Sequence, residues 1–228
     1  MADNMITSIY IAVKDLKAEF RTKQMLNSML IFSLMVIVIF SISFGDILGQ
    51  PEMVVQLAPG VLWIAFIFAG TLGLSRSFAS EMENSCLEGL KLSPVDRGSI
   101  YTGKTISGAT IMFVVELLTI PIFIILFNYN ITAVFGLTIV IFLGTLGFMS
   151  VGTLLSALSV NTRTREIMLP VLLLPLIIPV IIPAVMATGK LLSGANIADI
   201  VPEIRLLLVY CLVFFAVGYM VFEYTIMD

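Results

Sequence analysis

Residues Gly98 to Thr105 read GSIYTGKT and match the GxxxxGK[ST] pattern of a phosphate-binding loop. Such a loop binds nucleotide phosphates when it follows a buried strand and opens a helix, because backbone amides then point at the anion. Here the preceding residues, SPVDR, do not resemble a strand, and a long apolar run follows Thr105. The polar segment 76–105 is also too short to build a parallel sheet. We therefore interpret the match as coincidental and expect any ATP chemistry to come from another chain.

Other kinds of chemistry are excluded by residue counts. The chain has no histidine, so it supplies no imidazole as a metal ligand, haem ligand or general base. Its two cysteines, Cys86 and Cys211, are too far apart for a CxxC site. The net charge of −3 provides no basic surface for nucleic acid. We expect no catalytic residue, no metal ligand and no cofactor bound by this chain alone.

One acid stands out inside an apolar run, at Glu116 in IMFVVELLTIP. A charged side chain at the centre of a bilayer costs roughly 2.5–3.5 kcal/mol on insertion scales, so it must face the protein interior, a partner or a water-filled cavity. Glu116 is therefore either a residue of a substrate path or subunit interface, or a buried acid that hydrogen-bonds to a neighbouring helix.

The longest polar segment, at about 76–105, is the best candidate for binding a partner subunit. Its first part is rich in helix-forming residues, Leu87 and Leu90 share a face, and Ser93-Pro94 ends the pattern. We predict a short amphipathic helix that couples the chain to a partner, with an ordinary solvated connection as the alternative. The predicted coupling residues are Glu81, Glu83, Leu87, Glu88, Pro94, Asp96 and Arg97.

Composition requires a membrane to position these residues. Hydrophobic residues make up 59% of the 228, charged residues only 12%, and the mean hydropathy is +1.10. A soluble domain is roughly 45–50% apolar and about 25% charged, so this is the composition of an integral membrane protein. We predict an all-α protein with six transmembrane helices. Their expected ranges are 26–45, 54–75, 106–127, 133–160, 167–188 and 204–226.

The N-terminal segment is too charged to cross a membrane but is strongly amphipathic. Apolar residues recur at helical spacing on one side, whereas lysines and an arginine occupy the other side. We predict that residues 1–25 form an interfacial helix on the lipid bilayer and that residues 26–228 form the transmembrane domain. The residues of the apolar side are Ile6, Ile9, Tyr10, Val13, Leu16 and Phe20.

The distribution of positive charge predicts the orientation. With the N-terminus inside, ten of the twelve lysines and arginines fall in inner segments, and only Lys190 and Arg205 fall outside. Because cytoplasmic loops carry the excess of basic residues, both termini are expected in the cytoplasm.

Small residues at four-residue spacing, Ala65, Ala69 and Gly73, form a ridge along the second span. Such ridges let helices approach closely. This packing seam lies either within the six-helix bundle or between two copies of the chain.

Several stretches in the first half of the chain resemble the CcmB family, the haem exporter protein B family of bacterial cytochrome c maturation. They lie in order and at matching spacing over roughly residues 12–125. The most specific are LAPGVLW at 57–63, FAGTLGLSRSF at 68–78, SPVDR at 93–97 and IYTGK at 100–104.

The resemblance implies a membrane subunit of an ABC transporter with ABC-2-type permease architecture, located in a bacterial or archaeal inner membrane. It implies a separate ATPase partner, CcmA, together with CcmC, CcmD and the haem chaperone CcmE. ATP hydrolysis would drive haem delivery or release of haem-loaded CcmE, so that haem is handled by the complex. A homodimer within this hetero-complex is expected.

Two other functions fit the same residues. One is a related ABC-2-type permease that exports a lipid, a polysaccharide or a drug. The other is a membrane scaffold for assembly that transports nothing. Neighbouring genes distinguish the first from the CcmB interpretation, and ATP dependence of cytochrome c production distinguishes the second.

Overall fold

The structure, a computed structural model, describes residues 2–45, 51–83, 96–127, 134–159 and 165–225. Within these ranges the chain forms α-helices and one short 3-10 turn, and contains no strand, as predicted. The 3-10 turn, Ile197–Ile200, precedes the last helix. The helices are α1 (Ala2–Thr22), α2 (Gln24–Ser43), α3 (Pro51–Glu83), α4 (Arg97–Leu126), α5 (Val134–Ser159), α6 (Arg165–Leu192) and α7 (Val201–Thr225).

Helices α2 to α7 are long and apolar enough to cross a membrane, which confirms the predicted six spans. Helices α3 and α5 form the centre of the bundle, with 72% and 61% of their span residues buried. In contrast, only 17% of the α7 span is buried, and leucines and valines line its exposed side. Such a predominantly apolar exposed surface is suited to lipid or to another membrane subunit.

Two helices extend further into the polar segment than predicted. Helix α3 continues to Glu83, and α4 begins at Arg97 rather than near residue 106. The expected start was wrong because it followed hydropathy, whereas the first turns of α4 are buried by protein. Gly98 and Gly103 make this possible, since a Cβ there would overlap Tyr219 and α1 respectively.

Helix α1 and the last turns of α7 lie at one end of the bundle, as an even number of spans requires. A small hydrophobic cluster joins Ile11 of α1, Tyr101 of α4, Leu154 of α5 and Phe222 of α7. We call this the α1 end. At the opposite end the Lys190 ammonium contacts the Glu203 carboxylate at 2.7 Å and closes the connection between α6 and α7.

Helix α1 rests on the bundle by a different side from its apolar one. Ser8, Ile11 and Ala12 are buried, and α1 has most of its contacts with α4. The apolar residues identified from the sequence are mostly exposed: Ile6, Ile9, Tyr10, Val13 and Phe20. The side that was expected to meet the membrane therefore remains available to it.

A sharp break separates α1 from α2 at Lys23, slightly before the expected boundary at residue 25. Lys23 adopts a left-handed conformation with φ of 54°, which is uncommon for a residue with a side chain. The Glu19 carboxylate accepts a hydrogen bond from the Leu26 backbone N–H at 2.8 Å. An acidic group there satisfies an otherwise unpaired amide and favours the start of α2.

The small-residue ridge of α3 lies inside the bundle. Ala65 and Ala69 are fully buried, and a Cβ at Gly73 would overlap Met25 and Met29 of α2. The ridge therefore provides close packing within one chain, so that any contact between copies must use other surfaces.

Candidate functional site

The Asp96 carboxylate joins three helices at the α1 end. Its Oδ2 accepts hydrogen bonds from the Asn4 amide of α1 at 3.1 Å and from the Tyr219 hydroxyl of α7 at 3.0 Å. Ser99, in the first turn of α4, donates to the same oxygen at 3.4 Å. Gly98 lets the Tyr219 ring lie directly on the α4 backbone. We call Asn4, Asp96 and Tyr219 the Asp96 junction.

A second polar contact ties α4 to α1 about two helical turns further on. The Lys104 ammonium lies 3.5 Å from the Asp15 carboxylate, and the Lys104 residue is only 5% exposed. Lys104 is the lysine of the phosphate-loop match, but residues 98–105 form a continuous, largely buried helix. The geometry of a phosphate-binding loop is therefore not present at this segment.

Between these polar contacts, Tyr101 anchors the start of α4 in the bundle. It is fully buried, and its hydroxyl donates to the backbone carbonyl of Ser150 on α5 at 2.9 Å. Its ring contacts Phe215 and Phe222 of α7 at centroid distances of 5.6 and 5.5 Å. A displacement of the first turns of α4 would therefore also shift the parts of α1, α5 and α7 that contact them.

Four of the seven predicted coupling residues lie in the described part of the chain. Glu81 and Glu83 lie in the last turn of α3, Asp96 directly precedes α4, and Arg97 is its first residue. Leu87, Glu88 and Pro94 lie outside the described residues. The predicted short amphipathic helix within segment 76–105 and its docking role therefore remain predictions.

Sequence reasoning missed Asn4 and Tyr219 as partners of Asp96. They are separated from it by 92 and 123 positions, so no local spacing rule connects them. The sequence pointed only to Asp96 itself, as one of the predicted coupling residues.

Glu116 lies in the bundle interior and is 1% exposed. The Thr145 hydroxyl of α5 donates a hydrogen bond to its Oε1 at 2.5 Å. This contact corresponds to one of the two alternatives left open by the sequence, a buried acid bonded to a neighbouring helix. Beside it is a mainly apolar cavity with free space of about one water molecule, far below the roughly 300–1,000 Å³ of a small-molecule site.

Metal ligands were also sought among the described side chains. No group of three or more histidine, cysteine, aspartate or glutamate residues lies close enough in these ranges to hold a metal ion.

Comparison with known proteins gives one consistent result. The family model described as CcmB protein matches residues 6–225. "Heme exporter protein B" of Rhodobacter capsulatus is 28% identical over 162 residues, covering 71% of this chain and 73% of that protein. The protein of the same name from Haemophilus influenzae is 26% identical over 162 residues, covering 71% and 72%. The Escherichia coli one is 29% identical over 93 residues, covering 41% of each chain.

The family match covers nearly the whole chain, including the second half, beyond the stretches that carried the resemblance. The resemblance found in the first half is thereby confirmed, and with it the assignment as a multi-pass membrane protein. This chain belongs to the CcmB protein family.

Proposed function

We propose that this chain is the membrane permease subunit of a haem-exporting ABC transporter complex that serves cytochrome c maturation. In this proposal a separate CcmA-type ATPase hydrolyses ATP. The complex, with CcmC and CcmD, uses that energy for haem delivery or for release of the haem-loaded chaperone CcmE. The family membership and the name of the relatives, heme exporter protein B, support haem export; the coupling and the partners are our own extension.

The Asp96 junction is the structural observation that supports coupling. The predicted docking segment leads directly into Asp96, whose carboxylate contacts α1 and α7 at the same time. The buried first turns of α4 then pass through the Tyr101 contacts with α5 and α7. A partner that moves this segment would therefore move the N-terminal helix and two spanning helices together.

This mechanism is mechanical, and the chain contributes contacts rather than reactive groups. Without histidine it offers no imidazole to haem iron, so any histidine ligand of the iron would belong to another subunit. The cavity beside Glu116 is too small for a porphyrin. Both observations favour a role in driving conformational change over passage of haem through this cavity.

Gene deletion with complementation tests the function. We expect membranes of the deletion strain to lack haem-stained c-type cytochromes, and the intact gene to restore them. Normal c-type cytochromes in the deletion strain would overturn the proposal and favour export of another substrate. Normal cytochromes in a strain with an ATPase-dead partner would instead favour the scaffold.

The coupling assignment is tested at both ends of the bundle. We expect Asp96→Ala and Glu83→Lys to reduce stimulation of the partner ATPase in the purified complex. Asp199→Ala is the matched control. The Asp199 carboxylate accepts a hydrogen bond from the Asn196 backbone N–H at the opposite end of the bundle. Complex recovery by size exclusion separates uncoupling from loss of assembly. Unchanged stimulation in both test variants would contradict the assignment.

A further inference from the structure

A small cavity lies where four spanning helices meet in the middle of the bundle. Its walls come from α3, α4, α5 and α6, and apolar side chains make up most of them. They include Trp63, Phe66, Met112, Phe148, Ile177 and Val180. Glu116 and Thr145 are the residues with a carboxyl or hydroxyl group on this wall.

Glu116 presents an unsatisfied oxygen at this place. Its Oε1 accepts the hydrogen bond from Thr145, but its Oε2 is buried and has no hydrogen-bond partner among the described residues. Buried polar atoms in folded proteins almost always have a partner, either protein or ordered water. An unpaired carboxyl oxygen in an apolar cavity therefore calls for a specific explanation.

The nearby protein groups do not provide that partner. The Trp63 indole N–H donates to Thr188 Oγ1 at 3.0 Å. The Thr145 hydroxyl proton is directed to Glu116 Oε1, although the Thr145 oxygen can still accept a hydrogen bond. Two polar oxygens on one wall and space for about one water molecule together meet the requirements of an internal water site.

We propose that Glu116 binds a single internal water molecule, which bridges Glu116 Oε2 and Thr145 Oγ1. A water molecule both donates and accepts hydrogen bonds, so it satisfies Oε2 whether or not the carboxyl carries a proton. The carboxyl, the hydroxyl and the water form one polar link between α4 and α5 within an apolar core. This inference concerns the fold and does not depend on the proposed transport function.

Radiolytic hydroxyl-radical footprinting of the purified complex in lipid nanodiscs tests the site, because a bound water generates radicals beside side chains that bulk solvent does not reach. Two methionines form a matched pair within one chain. Met112 lines the cavity and is 2% exposed, whereas Met149 is 1% exposed and contacts Gly108 instead. We expect Met112 to be oxidised severalfold faster than Met149. Equally slow oxidation of both methionines would overturn the proposal.

Three variants assign the signal to the polar pair. Glu116→Gln retains two polar atoms, so fast oxidation of Met112 should persist. Glu116→Leu removes these polar atoms. Thr145→Val removes the hydroxyl that is the second partner of the water, with almost no change in the shape of the side chain. Both should slow oxidation of Met112 to the rate of Met149. Fast Met112 oxidation that survives Thr145→Val and Glu116→Leu would mean that solvent or detergent reaches Met112 by another route, and would also overturn the site.

Discussion

Individual glycines allow aromatic side chains to lie directly on helix backbones throughout this bundle. Gly144 of α5 faces the Trp63 ring of α3, and Gly218 of α7 faces the Tyr101 ring of α4. Each ring is also fixed by a hydrogen bond from its polar atom, to Thr188 and to the Ser150 carbonyl respectively. Because the rings are held at both edges and are buried, they cannot move aside easily.

This arrangement predicts that Gly144→Ala is destabilising. The added methyl group would overlap the anchored Trp63 ring, and overpacking of this kind costs roughly 1–3 kcal/mol. Gly60→Ala in α3 is the matched control, because no atom outside its own helix neighbourhood lies within 4 Å of the added Cβ. Alanine should be neutral there or stabilise by roughly 0.5–1 kcal/mol. The melting temperature of each purified variant provides the test, and equal values for the two would contradict it.

At the scale of elements, α1 presents one side to the bundle and other sides to its surroundings. Ser8, Ile11 and Ala12 face the protein, whereas the exposed apolar residues and the basic residues occupy the remaining circumference. The hydrophobic pattern alone could not reveal this, because protein and lipid both accept an apolar side chain. The close approach of Ser8 and Ile11 to Gly103 identifies the side of α1 that contacts the protein.

We expect spin labels on α1 to report this division. A label at Ile9 or Val13 should be more accessible to membrane-soluble oxygen, whereas a label at Lys17 or Arg21 should be more accessible to a water-soluble nickel chelate. The measurement uses single-cysteine variants in which both native cysteines are replaced by serine. Equal accessibility of all four positions to the nickel chelate would show that α1 does not lie on the membrane.

For the whole molecule, the structure places α1 and the last turns of α7 at one end of the bundle, and the positive charges predict that this end faces the cytoplasm. Green fluorescent protein fused after Asp228 should therefore fluoresce. Alkaline phosphatase fused after Gly194, in the connection between α6 and α7, should be active because it lies on the outer side. The opposite pattern in both fusions would reverse the orientation, and a mixed pattern would contradict the even number of spans.

The bounds of the spans show how far local reasoning extends. Five of the six predicted ranges begin and end within a few residues of the observed helix or fall inside it, because a spanning helix needs about 20 consecutive apolar residues whether it faces lipid or protein. The start of α4 was missed because Tyr101 and Lys104 are shielded by protein rather than by lipid. Hydropathy does not distinguish a polar residue on the surface from one paired within a bundle.

By itself, the sequence determined the class of protein, the number of spans, the resemblance to the family and the presence of one acidic residue, Glu116, within a spanning helix. These properties depend on composition and short stretches of residues. Only the tertiary structure decided that Thr145 bonds to Glu116, that Asp96 joins α1 to α7, and that the ridge of α3 is buried within one chain. Those contacts link residues far apart in the chain, and they exist only because particular helix faces are brought together by packing.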